Sequence, residues 1–289
     1  MESLDKYKKL IDKNKGILSS AEVKSISGKT EEKHGVDLDL ARRLNKMGIK
    51  VPGFQDYSEL YTVIAFDTTG SMSSCISSVR GNIEEIADEL PEQEDNVQIM
   101  VGGVGEYCDA PYTLQLKDFR KNSRELKRDI GSIEDTSGGG ACQVSLELLF
   151  QELNRKYIQR DKNYSLIVFT DQIAHGQDNG ERTPRADYRK ELKQLKENLS
   201  SFYIINCSSN QEIINLQREL LEPGNDNEKL ILLEDTLADS RLIPSLIIAL
   251  TKRTISKEKE EEYIARLKSG TQEQRNTAQE ILKYLPHKT

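Results

Sequence analysis

The run from Tyr61 to Phe66 (Tyr-Thr-Val-Ile-Ala-Phe) is short, mostly apolar and not alternating, and it stops abruptly at Asp67. A strand written this way is covered on both faces, as in a parallel sheet flanked by helices. The next residues, Thr68-Thr69-Gly70-Ser71-Met72, make a hydroxyl-rich turn hinged on glycine, and a helix is expected to begin near Ser73 or Ser74. Asp67, Thr69 and Ser71 therefore fall on a strand-to-helix loop, where open α/β sheets gather their ligands. One carboxylate and two hydroxyls form a hard, oxygen-only donor set suited to magnesium or manganese and not to zinc. The local alternative is structural: Ser71 or Ser73 caps the helix, and Asp67 faces its N-terminus.

From Tyr61 onward strands and helices alternate, which predicts a doubly wound, mostly parallel α/β sheet of six strands with helices on both faces. Strands are expected at 61–67, 97–101, 112–116, 165–170, 202–206 and 230–233, the second and third forming an antiparallel hairpin. Helices are expected at about 73–90, 122–132, 142–157, 186–200, 210–221 and 242–250. Residues 1–55 are polar, with helical patterning over 3–15 and around Leu38 to Met47, and read as a helical N-terminal extension. The expected organisation is thus that extension, an α/β domain over 56–252, and a charged helical C-terminal extension over 253–289.

The formal charge is -7, from 41 Lys and Arg against 48 Asp and Glu, which gives no support to nucleic-acid binding. No apolar stretch follows Met1, so neither a signal peptide nor a membrane span is expected, and a cytoplasmic protein is. Cys75, Cys108, Cys142 and Cys207 are widely spaced with no Cys-x-x-Cys pair, which argues for reduced thiols over a zinc knuckle. All four follow the C-terminal ends of strands. They are expected to pack as small core residues, with Cys75 and Cys142 as a candidate redox pair.

Asp171 repeats the opening feature, closing the buried run Ser165 to Thr170 with an acid. Between the two acids lies a glycine loop, Asp135-Thr136-Ser137-Gly138-Gly139-Gly140, which lacks the Lys-Ser/Thr ending of a P-loop. Asp67-x-Thr69-x-Ser71, the threonine-bearing glycine loop and Asp171 together resemble the metal-ion-dependent adhesion site of the von Willebrand factor A family. The resemblance covers roughly residues 57 to 252. It extends to an intracellular branch whose glycine loop reads Gly-Gly-Gly-Asp-x-Pro-Glu and whose second acid opens Asp-Ala-Pro-Pro-His-Gly. Those segments read Gly138-Gly139-Gly140-Ala141-Cys142-Gln143 and Asp171-Gln172-Ile173-Ala174-His175-Gly176 in this chain, so Ala141 stands where the branch has an acid.

The resemblance implies a metal site of Asp67, Thr69, Ser71, Thr136 and Asp171, with Ser137, Gly138 and His175 in supporting positions. It also implies that the held magnesium or manganese binds an acidic group of a partner protein without bond chemistry. Solitary intracellular members of the family resemble adaptors that work beside AAA+ ATPases, protein kinases and phosphatases, or in bacterial stress and phage-defence systems. A rival resemblance is to haloacid-dehalogenase-like phosphotransfer enzymes, whose Asp-Lys-Thr-Gly-Thr signature would make Asp67 a nucleophile. That scheme needs a later lysine, for which Lys190 or Lys193 stands, and an acidic pair such as Glu234-Asp235. The segment Lys257 to Glu262 reads as a solvated helix face, with a docking helix as the alternative.

Overall fold

A computed structural model describes residues 59–92, 97–138, 143–158, 162–177, 184–221, 227–233 and 242–285. Residues 1–58 form a separate unit from 59–289, and the helical extension expected over 1–55 lies outside the described residues. In the second unit β1 (Leu60–Asp67) leads through a tight turn into α1 (Ser73–Ala87), then β2 (Val97–Val104), β3 (Leu114–Leu116) and α2 (Ser123–Gly131). There follow β4 (Gln143–Val144), α3 (Leu146–Glu152), β5 (Asn163–Thr170), β6 (Ile173–Ala174) and α4 (Tyr188–Lys196). The chain continues through β7 (Leu199–Asn206), α5 (Gln211–Glu219), β8 (Glu228–Leu232), α6 (Leu242–Ile255), α7 (Lys257–Ser269) and α8 (Gln272–Tyr284).

Six strands form one sheet in the order β3-β2-β1-β5-β7-β8, parallel throughout except that β3 runs against β2. This is the expected fold class, a von Willebrand factor A-like α/β sheet carrying a C-terminal helical extension. β1 is the innermost strand of the first half, paired with β2 on one side and β5 on the other, and every one of its residues is buried. Its alternate residues serve two cores: Ile64 and Phe66 face α1, α2 and α6, while Val63 and Ala65 face α3 and α4. That two-sided burial is why the run does not alternate in polarity. Phe66 stacks on Phe169 of β5, with ring centroids 5.1 Å apart.

One departure from the sequence expectations reshapes the site's surroundings. The helix expected over 142–157 begins only at Leu146, because Gln143–Val144 pairs in parallel with Ile173–Ala174 as a second, two-stranded sheet. The stretch after Asp171 is therefore tied down, and its His175 is fully buried. Further on, α7 exposes Lys257, Glu258, Glu261 and Glu262 as the expected solvated face, while Tyr263, Ile264 and Leu267 are buried in the same cluster as α6 and α1. Among the described residues no helix is long and apolar enough to cross a membrane.

Candidate functional site

β1 delivers Asp67 to the C-terminal edge of the sheet, where its carboxylate is 1% exposed. Oδ1 accepts from the Thr69 backbone N–H at 3.0 Å and from the Thr69 hydroxyl at 2.6 Å, and Oδ2 accepts from the Thr170 hydroxyl at 2.9 Å. The Thr69 hydroxyl oxygen lies 3.4 Å from that of Ser71 and accepts from the Gln172 side-chain amide at 3.4 Å. The turn closes through Met72 N–H donating to Thr69 O at 2.9 Å, with Met72 buried beneath and Gly70 and Ser71 exposed above. Of the helix-cap alternative, Asp67 does accept an N–H at this turn, that of Thr69. Thr69 makes no side-chain cap bond, and the Ser73 hydroxyl donates to Gly70 O at 3.0 Å.

Asp171 sits beside this network, and its charge acts on Asp67. Its Oδ1 is buried and has no hydrogen-bond partner among the described residues. Burial pushes the Asp67 carboxyl up to about 7; the Thr69 hydrogen bonds oppose the rise and the Asp171 charge adds to it. Two carboxylates in one desolvated crevice repel each other unless a proton or a cation stands between them.

The glycine loop approaches from the other side. Thr136 is held on Thr68, its N–H donating to Thr68 O at 2.8 Å and its hydroxyl lying 3.1 Å from that of Thr68. It is thus one residue removed from the Asp67–Thr69–Ser71 network, and Ser137 is exposed beside it. Gly138 has φ +66°, and a Cβ at that position would lie 3.1 Å from the Thr69 methyl. Gly139, Gly140, Ala141 and Cys142 lie outside the described residues. Gly138→Ala is expected to cost about 1–2 kcal/mol from the left-handed backbone alone, read as a lower urea midpoint at unchanged slope.

Sequence reasoning passed over three contributors. Asp109 accepts from Gly138 N–H at 3.2 Å and from Glu106 N–H at 2.8 Å, so the β2–β3 connection anchors the glycine loop. Thr170 and Gln172, which flank Asp171, reach Asp67 and Thr69. The hydroxyl placed one residue before a strand-end acid is a signal the sequence did carry for Thr170. His175, by contrast, stands in a separate cluster: its Nδ1 lies 2.7 Å from Gln143 Oε1, and its ring stacks on Tyr107 at 4.0 Å. The Tyr107 hydroxyl donates to buried Glu147 and accepts from Arg185 N–H at 2.7 Å, and burial pushes the Glu147 carboxyl up to about 7.

The donors that converge fit a hard divalent ion. They are carboxylate and hydroxyl oxygens, and Asp171 supplies a buried acceptor that nothing else among the described residues satisfies. Among the described residues no three His, Cys, Asp or Glu side chains gather into a metal cage, so a cation at this edge depends on the Thr and Ser hydroxyls.

No protein-family profile matches the chain. No curated protein matches it either. Solved structures do. The pilus adhesin SpaC from Lactobacillus rhamnosus GG is 13% identical in its open conformation, with a TM-score of 0.50 over 68% of this chain and 30% of the adhesin. A second SpaC structure is 12% identical, with a TM-score of 0.51 over 68% of this chain and 31% of that one. Proximal thread matrix protein 1 from the mussel byssus is 13% identical, with a TM-score of 0.47 over 66% of this chain and 48% of that protein. The chain spans about a third of the adhesin's length, and the likeness is one of fold.

Proposed function

We propose that the chain is a metal-dependent protein-binding module. Asp67, Thr69, Ser71 and Asp171 would hold magnesium or manganese, with Thr136 steadying the turn through Thr68. The ion supplies positive charge that accepts an acidic side chain of a partner protein. The observation that carries this reading is the buried, unsatisfied Asp171 Oδ1 beside an Asp67 carboxyl pushed up by burial. A cation resolves both features at once, and Ser71 is the donor exposed enough to meet a second molecule. The setting implied by the family resemblance is a cytoplasmic adaptor beside an AAA+ ATPase or within a bacterial stress or phage-defence system.

The phosphotransfer alternative gains nothing from the lysines it needs. Lys190 and Lys193 are exposed and line a groove with Asn154, Ile158 and Asn198. Ile158 and Asn198 precede β5 and β7, which puts this groove toward the start of the parallel strands, at the edge opposite Asp67. Glu234 and Asp235 lie outside the described residues.

Magnesium titration by calorimetry, run on wild type and Ser71→Ala, tests the proposal. One site per chain is expected, with affinity about 10- to 100-fold lower in the variant. Protein capture from a lysate should then require magnesium and fail with chelator. Equal magnesium affinity in both proteins, or capture indifferent to chelator, would refute the reading.

A further inference from the structure

The backbone of Gln172 is pinned on both sides. Its N–H donates to the Thr170 hydroxyl at 2.9 Å, the same hydroxyl that donates to Asp67 Oδ2. Its carbonyl accepts from the Gln217 side-chain amide at 2.7 Å, and Gln217, fully buried on α5, accepts in turn from Asn206 Nδ2 at 2.6 Å. The ends of β5 and β7 and the helix α5 thus set the direction of the Gln172 side chain. It runs to Thr69, whose hydroxyl oxygen lies 3.4 Å from Nε2, beyond the usual range of a hydrogen bond. Its Oε1 is buried and has no hydrogen-bond partner among the described residues.

Buried amide oxygens are normally paired. Turning the amide over does not pair this one, because Oε1 would then face the Thr69 hydroxyl, whose proton already goes to Asp67 Oδ1 at 2.6 Å. A hydroxyl has a single proton to donate, and an ionised carboxylate has none. Thr69 and ionised Asp67 therefore cannot satisfy Gln172, whereas a cation satisfies several acceptors at once.

We propose that the side-chain oxygen of Gln172 is a further ligand to the divalent ion, in the place that the family resemblance gives to Thr136. The proposal rests on the reading of this edge as a magnesium or manganese site. Thr136 is held on Thr68 instead, through its N–H and its hydroxyl. An amide carbonyl is a hard oxygen suited to either ion. Its neutrality matters for the partner. Ionised Asp67 and Asp171 already match the charge of a divalent ion, so a neutral donor adds a bond without adding repulsion toward an incoming carboxylate. The burial of Oε1 separates this role from a direct contact with the partner, which an enclosed oxygen does not reach.

The test is magnesium calorimetry on wild type, Gln172→Met, Gln172→Glu and Ser71→Ala, with urea unfolding of wild type and Gln172→Met in the absence of divalent ions. Met keeps the length and bulk of the side chain and removes the oxygen. Gln172→Met is expected to bind magnesium about 10-fold more weakly. Without the ion it should be no less stable than wild type, since an unpaired buried oxygen is gone. Gln172→Glu retains an oxygen at the same reach and adds charge, so it should bind magnesium at least as tightly as wild type. Wild-type affinity in Gln172→Met beside a weakened Ser71→Ala would overturn the ligand and leave the metal site standing. Equal weakening by Met and Glu would overturn it as well, reducing Gln172 to packing. So would a Gln172→Met protein destabilised without the ion, because the oxygen would then have a partner in the metal-free protein. A wild type that takes up no magnesium would remove the metal site and the ligand together.

Discussion

Asp67→Asn is expected to be at least as stable as wild type at pH 7 without divalent ions, and to lose the stabilisation that magnesium gives wild type. The variant keeps the shape of the side chain and an acceptor for the Thr69 N–H, while the Thr170 hydroxyl can turn to accept from the new amide. What it removes is a charge that burial opposes. A carboxyl raised from 3.8 to about 7 in the folded protein keeps its proton there while the unfolded chain releases it. Stability is therefore fully present below the unfolded value and falls as pH rises from about 4 to about 7, by about 4 kcal/mol in all. Magnesium acts in the opposite sense, because it favours the ionised form that burial disfavours. At a concentration of 100 times its dissociation constant it adds about 2.7 kcal/mol to the folded state. Urea unfolding of both proteins at pH 5 and pH 7, with and without magnesium, separates the two contributions. A variant that still gains the wild-type increment from magnesium would remove Asp67 from the metal site. A wild type whose stability does not fall between pH 5 and pH 7 would remove the desolvated carboxyl.

The parts of this site that the sequence made legible are those whose neighbours in space are also neighbours along the chain. Asp67, Thr69 and Ser71 occupy one turn, so an acid at the end of a buried run followed by two hydroxyls was readable without tertiary information. β5 and Asp171 were readable for the same reason. Thr170 and Gln172 act on that turn, and Asp109 on the glycine loop, only after the strands have paired, and no local spacing connects Asp109 to Gly138. The two-residue strands β4 and β6 are too short to show a period of two, so the fixing of His175 beside Gln143 was hidden as well. The mixed charges of Lys257 to Glu262 marked the exposed face of α7, and the signal for its buried face lay in α6. Every residue from Leu242 to Lys252 is buried, and a helix that is apolar all round must be covered on all sides. The sheet covers one side, which leaves the other to the helices that follow.

Truncation after Ser256 is accordingly expected to abolish cooperative folding and not merely to trim a charged tail. Tyr263, Ile264 and Leu267 of α7, with Ile281 of α8 and Leu285 just beyond it, are between 0% and 5% exposed. At about 1.5–3 kcal/mol for each buried large apolar side chain, these five contribute roughly 10 kcal/mol. The whole net stability of a domain is about 5–15 kcal/mol. Truncation also strips the cover from α6 and removes Glu260, which is fully buried and paired with Arg253 at 3.3 Å, so Arg253 loses its partner as well. The shortened chain should be recovered insoluble, or as a compact state that binds hydrophobic dye and lacks a near-ultraviolet circular dichroism signal. Ile281→Ala tests the same packing without shortening the chain, with an expected loss of about 2–5 kcal/mol. A truncated protein that unfolds cooperatively at the wild-type midpoint would mean that α7 and α8 only rest on the domain. In that case they would be free to act as the docking helices that their charge pattern advertises.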